Sequence, residues 1–216
     1  MTRTDQVGFL PLFGNRIIGF SLEERTAAGD WWTDDPVHDP WEWRGIIARR
    51  GNLAYGKFFE NKAGFISRKW LPFFANYRRD GYDFDALWDD GLATFRQKRI
   101  MDLFEDRQEY FSYELKEKAG FGAGGEKNFD GTLASLQMMT YLCVRDFRPR
   151  LNKKGQPYGW SIAILSAPET IFGSELVRSA YKEDPAKSRD RIFEHMNTLY
   201  PGVSDADVRK VLGYGR

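Results

Sequence analysis

A polar loop between two strand-like segments constrains the fold of this chain more than any other feature. Residues 158–166 alternate large apolar residues with smaller or polar ones, which is the period of a β-strand. Residues 144–150 precede the loop, and Asn152 and Gly155 lie within it. A short loop with these turn-forming residues joins two antiparallel strands. The sequence therefore predicts a β-hairpin.

Three helical patterns precede this hairpin. Apolar residues recur at roughly helical spacing over residues 92–105. Ser112 can cap a second helix that ends near Gly120, and Asp130 or Thr132 can begin a third. Three helices followed by a hairpin is the order of a winged-helix core. The expected fold class is therefore α+β, with a winged-helix core of three helices plus a β-hairpin wing.

The N-terminal part, residues 1–91, predicts a layer made of a helix and a second hairpin. Asp39 followed by Pro40 is a typical helix start, and Gly51 is suited to end that helix. Strand patterns on both sides of Asn61 predict the hairpin.

The C-terminal part, residues 168–216, predicts further helices, with start signals at Pro185 and Ser204. The chain has 216 residues, of which 42% are hydrophobic and 16% aromatic, enough to fill a core. No repeat at a fixed period occurs. We expect the three parts, residues 1–91, 92–167 and 168–216, to form one compact unit.

Composition narrows the functional class. A formal net charge of +1 supplies no long-range attraction to a polyanion, so any affinity for nucleic acid must be local. No secretory pattern and no apolar run of about 18 residues is present, so neither export nor membrane insertion is expected. The single Cys143 cannot form an intramolecular disulfide and fits a reducing compartment. We expect a cytoplasmic protein.

The predicted hairpin carries a local excess of positive charge. Asp146 is the one carboxylate between residues 145 and 154. Such a density of cations can neutralise the phosphates of duplex DNA and makes binding salt-dependent. The alternative is a solvated hairpin without a partner, because short polar loops are often basic for solubility alone. The candidate phosphate-binding residues are Arg145, Arg148, Arg150, Lys153 and Lys154.

The predicted third helix offers little for reading base edges. Gln137 and Thr140 are polar, but most of their neighbours are large and apolar. We expect this helix to be mostly buried, so that any specificity comes from elsewhere. The apolar neighbours are Leu133, Leu136, Met138, Met139 and Tyr141.

Aromatic residues cluster near the first helix. Aromatic faces and guanidinium planes both accept unstacked bases, so this cluster can form a stacking platform. Core packing is the alternative explanation for any tryptophan. The cluster consists of Trp31, Trp32, Trp41 and Trp43 with Arg44.

Three other patterns have common structural explanations. Residues 120–125 match a G-x-G-x-x-G spacing but follow a charged helix, which favours a turn. His38 and His195 lack a catalytic setting, and no metal or cofactor is predicted. The aspartates of residues 80–90 can split in pKa for general acid and base work, or they can cap helices, as Asp83 is placed to do.

Four stretches of the chain together form a recognisable pattern. They resemble the AlkZ-related family, distant relatives of winged-helix DNA glycosylases that excise alkylated or cross-linked bases. The stretches are Asp39-Pro40-Trp41-Glu42-Trp43-Arg44, then Tyr55-Gly56-Lys57-Phe58-Phe59 with Gly64-Phe65-Ile66-Ser67, then Arg78-Arg79-Asp80-Gly81-Tyr82-Asp83-Phe84-Asp85, and Asn152-Lys153-Lys154-Gly155 through Gly159-Trp160.

In the glycosylase branch, the resemblance implies two glutamines separated by one apolar residue, acting on a water near the sugar. Gln137-Met138-Met139 supplies one glutamine, so no catalytic residue is carried over. We expect a winged-helix nucleic-acid-binding protein of DNA-repair type that contacts duplex DNA. Glycosylase-like hydrolysis stays open, with Gln137 or an aspartate of residues 83–90 positioning the water. The alternative is a winged-helix protein-interaction module without catalytic activity.

Overall fold

The computed structural model describes residues 7–214, and within them the chain forms an α+β fold around one antiparallel sheet. The sheet has the strand order β1-β3-β2-β5-β6-β4. The predicted α+β class is therefore confirmed. The strands are β1 (Phe9–Pro11), β2 (Leu53–Phe59), β3 (Lys62–Ser67), β4 (Glu109–Phe111), β5 (Cys143–Leu151) and β6 (Pro157–Ser166).

Helices connect and cover these strands, together with short 3-10 turns at Glu23–Arg25 and Ala28–Asp30. The helices of the described residues are α1 (Pro40–Arg50), α2 (Leu71–Arg79), α3 (Phe84–Asp89), α4 (Phe95–Met101), α5 (Leu103–Asp106), α6 (Ser112–Lys118), α7 (Phe129–Met138), α8 (Pro168–Phe172), α9 (Ser174–Val177), α10 (Pro185–Leu199) and α11 (Asp205–Leu212).

Helix α1 begins and ends where its sequence signals predict. The Asp39 carboxylate accepts a hydrogen bond from the Trp41 amide at 2.7 Å, which satisfies a free donor of the first turn. Gly51 adopts a left-handed φ of 65° and closes the helix by donating to the carbonyl oxygens of Ile47 and Ala48. The predicted first hairpin follows as β2 and β3.

The predicted first helix over residues 92–105 is shorter and interrupted. It begins at Phe95, because the Thr94 hydroxyl caps the amide of Gln97 at 3.2 Å. A turn at Asp102 separates α4 from α5. The prediction of one continuous helix over residues 92–105 is therefore wrong in two respects: the helix begins later than Leu92, and it is interrupted at Asp102.

Two other helix starts differ from expectation. Ser112 is the first residue of α6 rather than its cap, and the Phe111 amide there donates to Glu114 at 3.2 Å. Helix α7 starts at Phe129 and stops at Met138, before Thr140, whose φ is 63°. Tyr141 therefore lies outside the helix.

Strand β4, between α5 and α6, has no counterpart among the predicted elements. It pairs with β6, with Tyr110 opposite Leu165. Three residues are too few to display a strand period, so the pattern carried no signal. Beyond the second hairpin, α10 and α11 follow their start signals at Pro185 and Ser204.

The sheet is covered on both faces. Ala54 and Tyr55 are neighbours on β2 but belong to different hydrophobic clusters, and so do Phe65 and Ile66 on β3. Successive strand residues point to opposite faces, so each face carries its own core. Helices α2, α10 and α11 contribute to one cluster, whereas α4, α6 and α7 contribute to the other.

Two consecutive arginines at the end of α2 are fully buried and connect the two sides. Arg79 forms an ion pair with Glu169 and also donates to the Thr140 carbonyl oxygen. Arg78 donates to the carbonyl oxygens of Met138 and Leu212, at 3.0 and 3.1 Å. A cation is favourable at these carbonyl ends of α7 and α11. Burial lowers the pKa of Arg78 to about 10, well above neutral pH.

Candidate nucleic-acid interface

The second hairpin, formed by β5 and β6, extends beyond the rest of the sheet. At the base of the hairpin, β5 also pairs with β2, where Tyr55 lies opposite Val144. Residues 150–161 are all exposed. We call residues 150–160 the hairpin tip. The pairing of β5 with β6 shifts register between Arg148 and Arg150, and Pro149 lies at that shift.

Three of the five candidate cations lie at the hairpin tip with their charges available. Lys153 and Lys154 are exposed in the turn, and the Arg150 guanidinium lies 4.4 Å from the centre of the Tyr113 ring. Within residues 7–214, none of the three forms an ion pair. They can therefore approach phosphates without first giving up a carboxylate.

The other two cations have partners inside the protein. Arg145 donates to the Arg49 carbonyl oxygen at 3.0 Å, at the end of α1. Arg148 lies 2.8 Å from Asp146 and 3.2 Å from Glu109. Its charge is thus opposed by two carboxylates. The sequence placed all five cations on one hairpin, but it did not reveal this division.

Asp146 is the carboxylate that anchors this part of the hairpin. Burial alone would raise its pKa, but hydrogen bonds from Arg148, the Phe147 amide and Arg49 outweigh burial and lower it. Asp146 therefore remains ionised at neutral pH and holds Arg148 against the base of the hairpin.

The hairpin tip also exposes large apolar side chains that were not among the predicted site residues. Leu151 is 64% exposed, Tyr158 50% and Trp160 85%. Gly159, with a φ of 69°, allows the chain to turn within the register shift next to Trp160. The hairpin tip combines cations and apolar surface in one place.

Two cavities lie on opposite sides of α1, one of about 510 Å³ and one of about 590 Å³. The second of these reaches the hairpin. This larger cavity, of about 590 Å³, is called the Arg44 cavity. It lies between α1, β2, α7 and the inner part of β5 and β6. Among its lining residues are Trp41, Arg44, Tyr55, Lys57, Gln137 and Phe147.

Arg44 is held between two aromatic rings in this cavity. Its guanidinium carbon lies 3.5 Å from the centre of the Trp41 ring and 4.5 Å from that of Phe147. Burial lowers the pKa of Arg44, although nearby Tyr55 and Glu42 oppose that effect. The group still remains a cation at neutral pH. Stacking on the rings stabilises it and fixes the plane of its donors.

Tyr55 and Gln137 also line the Arg44 cavity. Burial raises the pKa of Tyr55 to about 12, so its hydroxyl is protonated. Both polar atoms of the Gln137 side chain have a partner within the protein, because its oxygen accepts from the Lys57 amide at 3.0 Å and its nitrogen donates to the Leu133 carbonyl oxygen at 3.3 Å. Gln137 ties α7 to β2 instead of presenting a free amide.

The aromatic platform predicted from sequence divides between separate places. Trp41 and Arg44 do line the Arg44 cavity, whereas Trp43 lines the smaller cavity on the other side of α1. Trp31 is buried and packs on Phe13, and Trp32 is exposed beside it. Helical geometry explains this split, since residues three apart share a face and adjacent residues do not.

The aspartates of residues 80–90 lie outside the Arg44 cavity. Asp83 caps α3 through the Ala86 amide, at 2.9 Å, and Asp90 accepts from the Tyr82 hydroxyl at 2.8 Å. These are structural roles on the surface. The glycines of residues 120–125 form a turn after α6, as the sequence favoured.

Each of the two histidines contacts another side chain of the protein. His38 pairs with Asp35 at 2.8 Å on the surface, and His195 stacks on Trp70 at 4.4 Å. Between residues 7 and 214, no three His, Cys, Asp or Glu side chains are grouped so that they could hold a metal ion. Among the same residues, no helix has the length and apolar character needed to cross a bilayer.

Comparison with known proteins identifies one relationship. A family model described as AlkZ related matches residues 1–213, nearly the whole chain. Neither the curated proteins nor the solved structures include a significant match.

Proposed function

This chain belongs to the AlkZ-related family, and from that premise we propose that it is a winged-helix nucleic-acid-binding protein of DNA-repair type. Its hairpin tip contacts the phosphates of duplex DNA. We also propose that it lies in the cytoplasm, which is supported by the fully buried Cys143, a free thiol that forms no disulfide.

The order of elements supports the winged-helix part of the proposal. Helices α4 and α5 are followed by β4, α6 and α7, and then by the hairpin of β5 and β6. The short β4 pairs with β6, so that three strands and the preceding helices form one local unit. In this arrangement the second hairpin is the wing.

The observation that carries the proposal is the unpaired positive charge of the hairpin tip. Arg150, Lys153 and Lys154 are exposed and have no carboxylate partner among the described residues, although Arg150 lies against the Tyr113 ring. Each phosphate contact made by such a cation releases counterions from DNA, which favours binding. Trp160, 85% exposed beside them, has the size and character of the apolar side chains that enter a groove.

The charge of the neighbouring cavity favours nucleic acid over a protein-interaction module. Three lining residues are cationic, namely Arg44, Lys57 and Lys62, and one is acidic, Asp130. An acidic groove would instead favour basic protein partners. The interaction module is nevertheless kept as a second candidate, because the apolar surface of Leu151, Tyr158 and Trp160 also suits a protein interface.

The proposal is one of binding rather than base excision. Gln137 has both its oxygen and its nitrogen engaged within the protein. The aspartates of residues 83–90 that were candidates for positioning water lie outside the Arg44 cavity. No residue is therefore assigned a catalytic role.

Fluorescence anisotropy with a labelled DNA duplex tests the proposal. We expect Lys153→Glu combined with Lys154→Glu to weaken binding at least about tenfold at 0.1 M salt, because two phosphate contacts become repulsive. The matched control is Lys182→Glu with Lys187→Glu, which changes the net charge equally at two exposed lysines outside the hairpin.

Three results would contradict the proposal. Unchanged affinity in the hairpin variant would exclude the hairpin tip as the binding element. An equal loss in both variants would show that total charge, and not the hairpin, controls binding. Protein capture without any duplex affinity would favour the interaction module.

A further inference from the structure

Arg44 has donors that the protein does not use. A guanidinium carries five N–H donors, and the one acceptor among residues 7–214 for this side chain is the Trp41 carbonyl oxygen. No carboxylate in that part of the chain lies within ion-pair distance of it. Arg44 is half-buried and stacked on two rings, so its remaining donors are accessible from the cavity and can serve an acceptor that enters it.

Tyr55 places a second unused donor in the same cavity. Its side chain is 5% exposed, and its hydroxyl makes no hydrogen bond within the described residues. The hydroxyl oxygen is not among the fully buried polar atoms that lack a partner, so it is accessible from the cavity. Tyr55 and Arg44 both line the Arg44 cavity, so one ligand can satisfy both.

The remaining walls indicate the shape of such a ligand. Leu133, Val144 and Leu165 supply buried apolar surface, and the Phe147 ring closes one side. A volume of about 590 Å³ is within the usual range for small-molecule sites. Apolar walls with clustered donors suit an apolar ring that carries oxygen acceptors on its edge. Lys57, which is exposed, can meet an attached phosphate.

We infer that the Arg44 cavity binds an unpaired nucleobase that bears ring carbonyl oxygens, with Arg44 and Tyr55 donating to that edge. This inference rests on the proposed function, since the hairpin would hold the duplex from which the base is displaced. Enzymes and readers that act on single bases take them out of the stack in this way. The cavity would supply the selectivity that the apolar α7 does not.

Calorimetric titration with free nucleotides tests the cavity without DNA. We expect guanosine and thymidine monophosphates to bind, and adenosine monophosphate to bind at least about fivefold more weakly, because adenine has no carbonyl oxygen. Arg44→Met keeps the apolar stem and should reduce guanosine monophosphate affinity about tenfold or more. Tyr55→Phe removes one oxygen and should reduce it about fivefold.

Arg50→Met is the matched control. Arg50 is exposed at the end of the same helix and lines the other cavity, so guanosine monophosphate affinity should be unchanged. Circular dichroism melting of each variant establishes that it is folded. Tyr55→Phe, which preserves the ring, tests the inference even where Arg44→Met fails to fold.

The outcomes separate this inference from the proposed function. If duplex binding depends on Lys153 and Lys154 but guanosine monophosphate does not bind, or binds regardless of Arg44, the cavity inference is overturned alone. If nucleotides bind through Arg44 and duplex DNA does not bind through the hairpin, the proposed function is overturned alone. Inorganic phosphate that binds as well as the nucleotides would overturn the base as the ligand.

Discussion

At the scale of single residues, Asp39 holds the start of the helix that carries Trp41 and Arg44. Its fully buried carboxylate accepts from the amides of Trp41 and Thr33, at 2.7 and 2.8 Å. Burial by itself would raise the pKa of Asp39, but these backbone hydrogen bonds outweigh it and lower the pKa. The geometry of the Arg44 cavity therefore depends on an ionised carboxylate.

We predict that Asp39→Asn lowers the free energy of unfolding by about 1–2 kcal/mol at pH 7, since an amide cannot accept on both sides. The folded pKa lies below the unfolded one, near 3.8, so the ionised form stabilises the protein above that pH and loses its effect as pH falls through the folded pKa. Urea unfolding at pH 7 and pH 3 measures the difference.

The free energy of unfolding lost in Asp39→Asn should therefore be smaller at pH 3 than at pH 7. Asp184→Asn is the matched control, because Asp184 caps α10 in the same way but is exposed. Its loss should be smaller. An Asp39→Asn deficit that stays the same at both pH values would show that shape, and not charge, stabilises this helix start.

Residue spacing could identify only part of the candidate site. Trp41 and Arg44 are three apart on a strongly signalled helix, so a shared face was predictable. Tyr55 and Phe147 reach the same cavity through the pairing of β2 with β5. Such long-range pairing leaves no local pattern. The partners of Arg148 were hidden for the same reason, since Glu109 belongs to a strand that was not predicted.

At the scale of elements, strong local signals were the reliable ones. The hairpin of β5 and β6 and the helix α1 were predictable because turn residues and caps act within a few positions. The three-residue β4 and the break at Asp102 were not, because neighbouring elements decide them. Pairing with β6 makes a strand of residues whose own preference is weak.

The hairpin divides into a bound part and a free part, which predicts unequal effects of similar substitutions. Arg150→Gln should weaken duplex DNA binding about three- to tenfold and reduce the slope of log affinity against log salt by about 1. Arg148→Gln should change the affinity less than about twofold, because Arg148 already forms ion pairs with Asp146 and Glu109. Anisotropy titrations across a salt series distinguish the two, and equal effects would contradict the division.

At the scale of the whole molecule, the sheet joins distant parts of the chain. Strand β1 begins at Phe9 and lies at one edge, whereas β4 lies at the other. One core cluster alone contains residues from Val7 to Leu212. The contribution of α11 to that cluster was invisible in local patterns, because it depends on packing across the entire chain.

We predict that the chain unfolds in one cooperative transition, so that tryptophan fluorescence and far-ultraviolet circular dichroism give coincident urea curves. Residues 92–167 expressed alone should not fold stably, since they lack β2 and the buried Arg78 that caps α7. Separate transitions, or a stable isolated segment with dispersed amide resonances, would show that the segment is an independent domain.

Pro149 has a consequence for how the protein behaves in crowded solution. Beyond Val144, β5 has no strand on its outer side within the described residues, and past the part that packs on α1 this leaves an open edge toward the exposed hairpin tip. Such edges invite another chain to add a strand, the first step of aggregation. Proline offers no N–H for that purpose, and the exposed charge of Arg150 repels a second copy. The protein can thus expose a long hairpin with apolar side chains and still resist self-association.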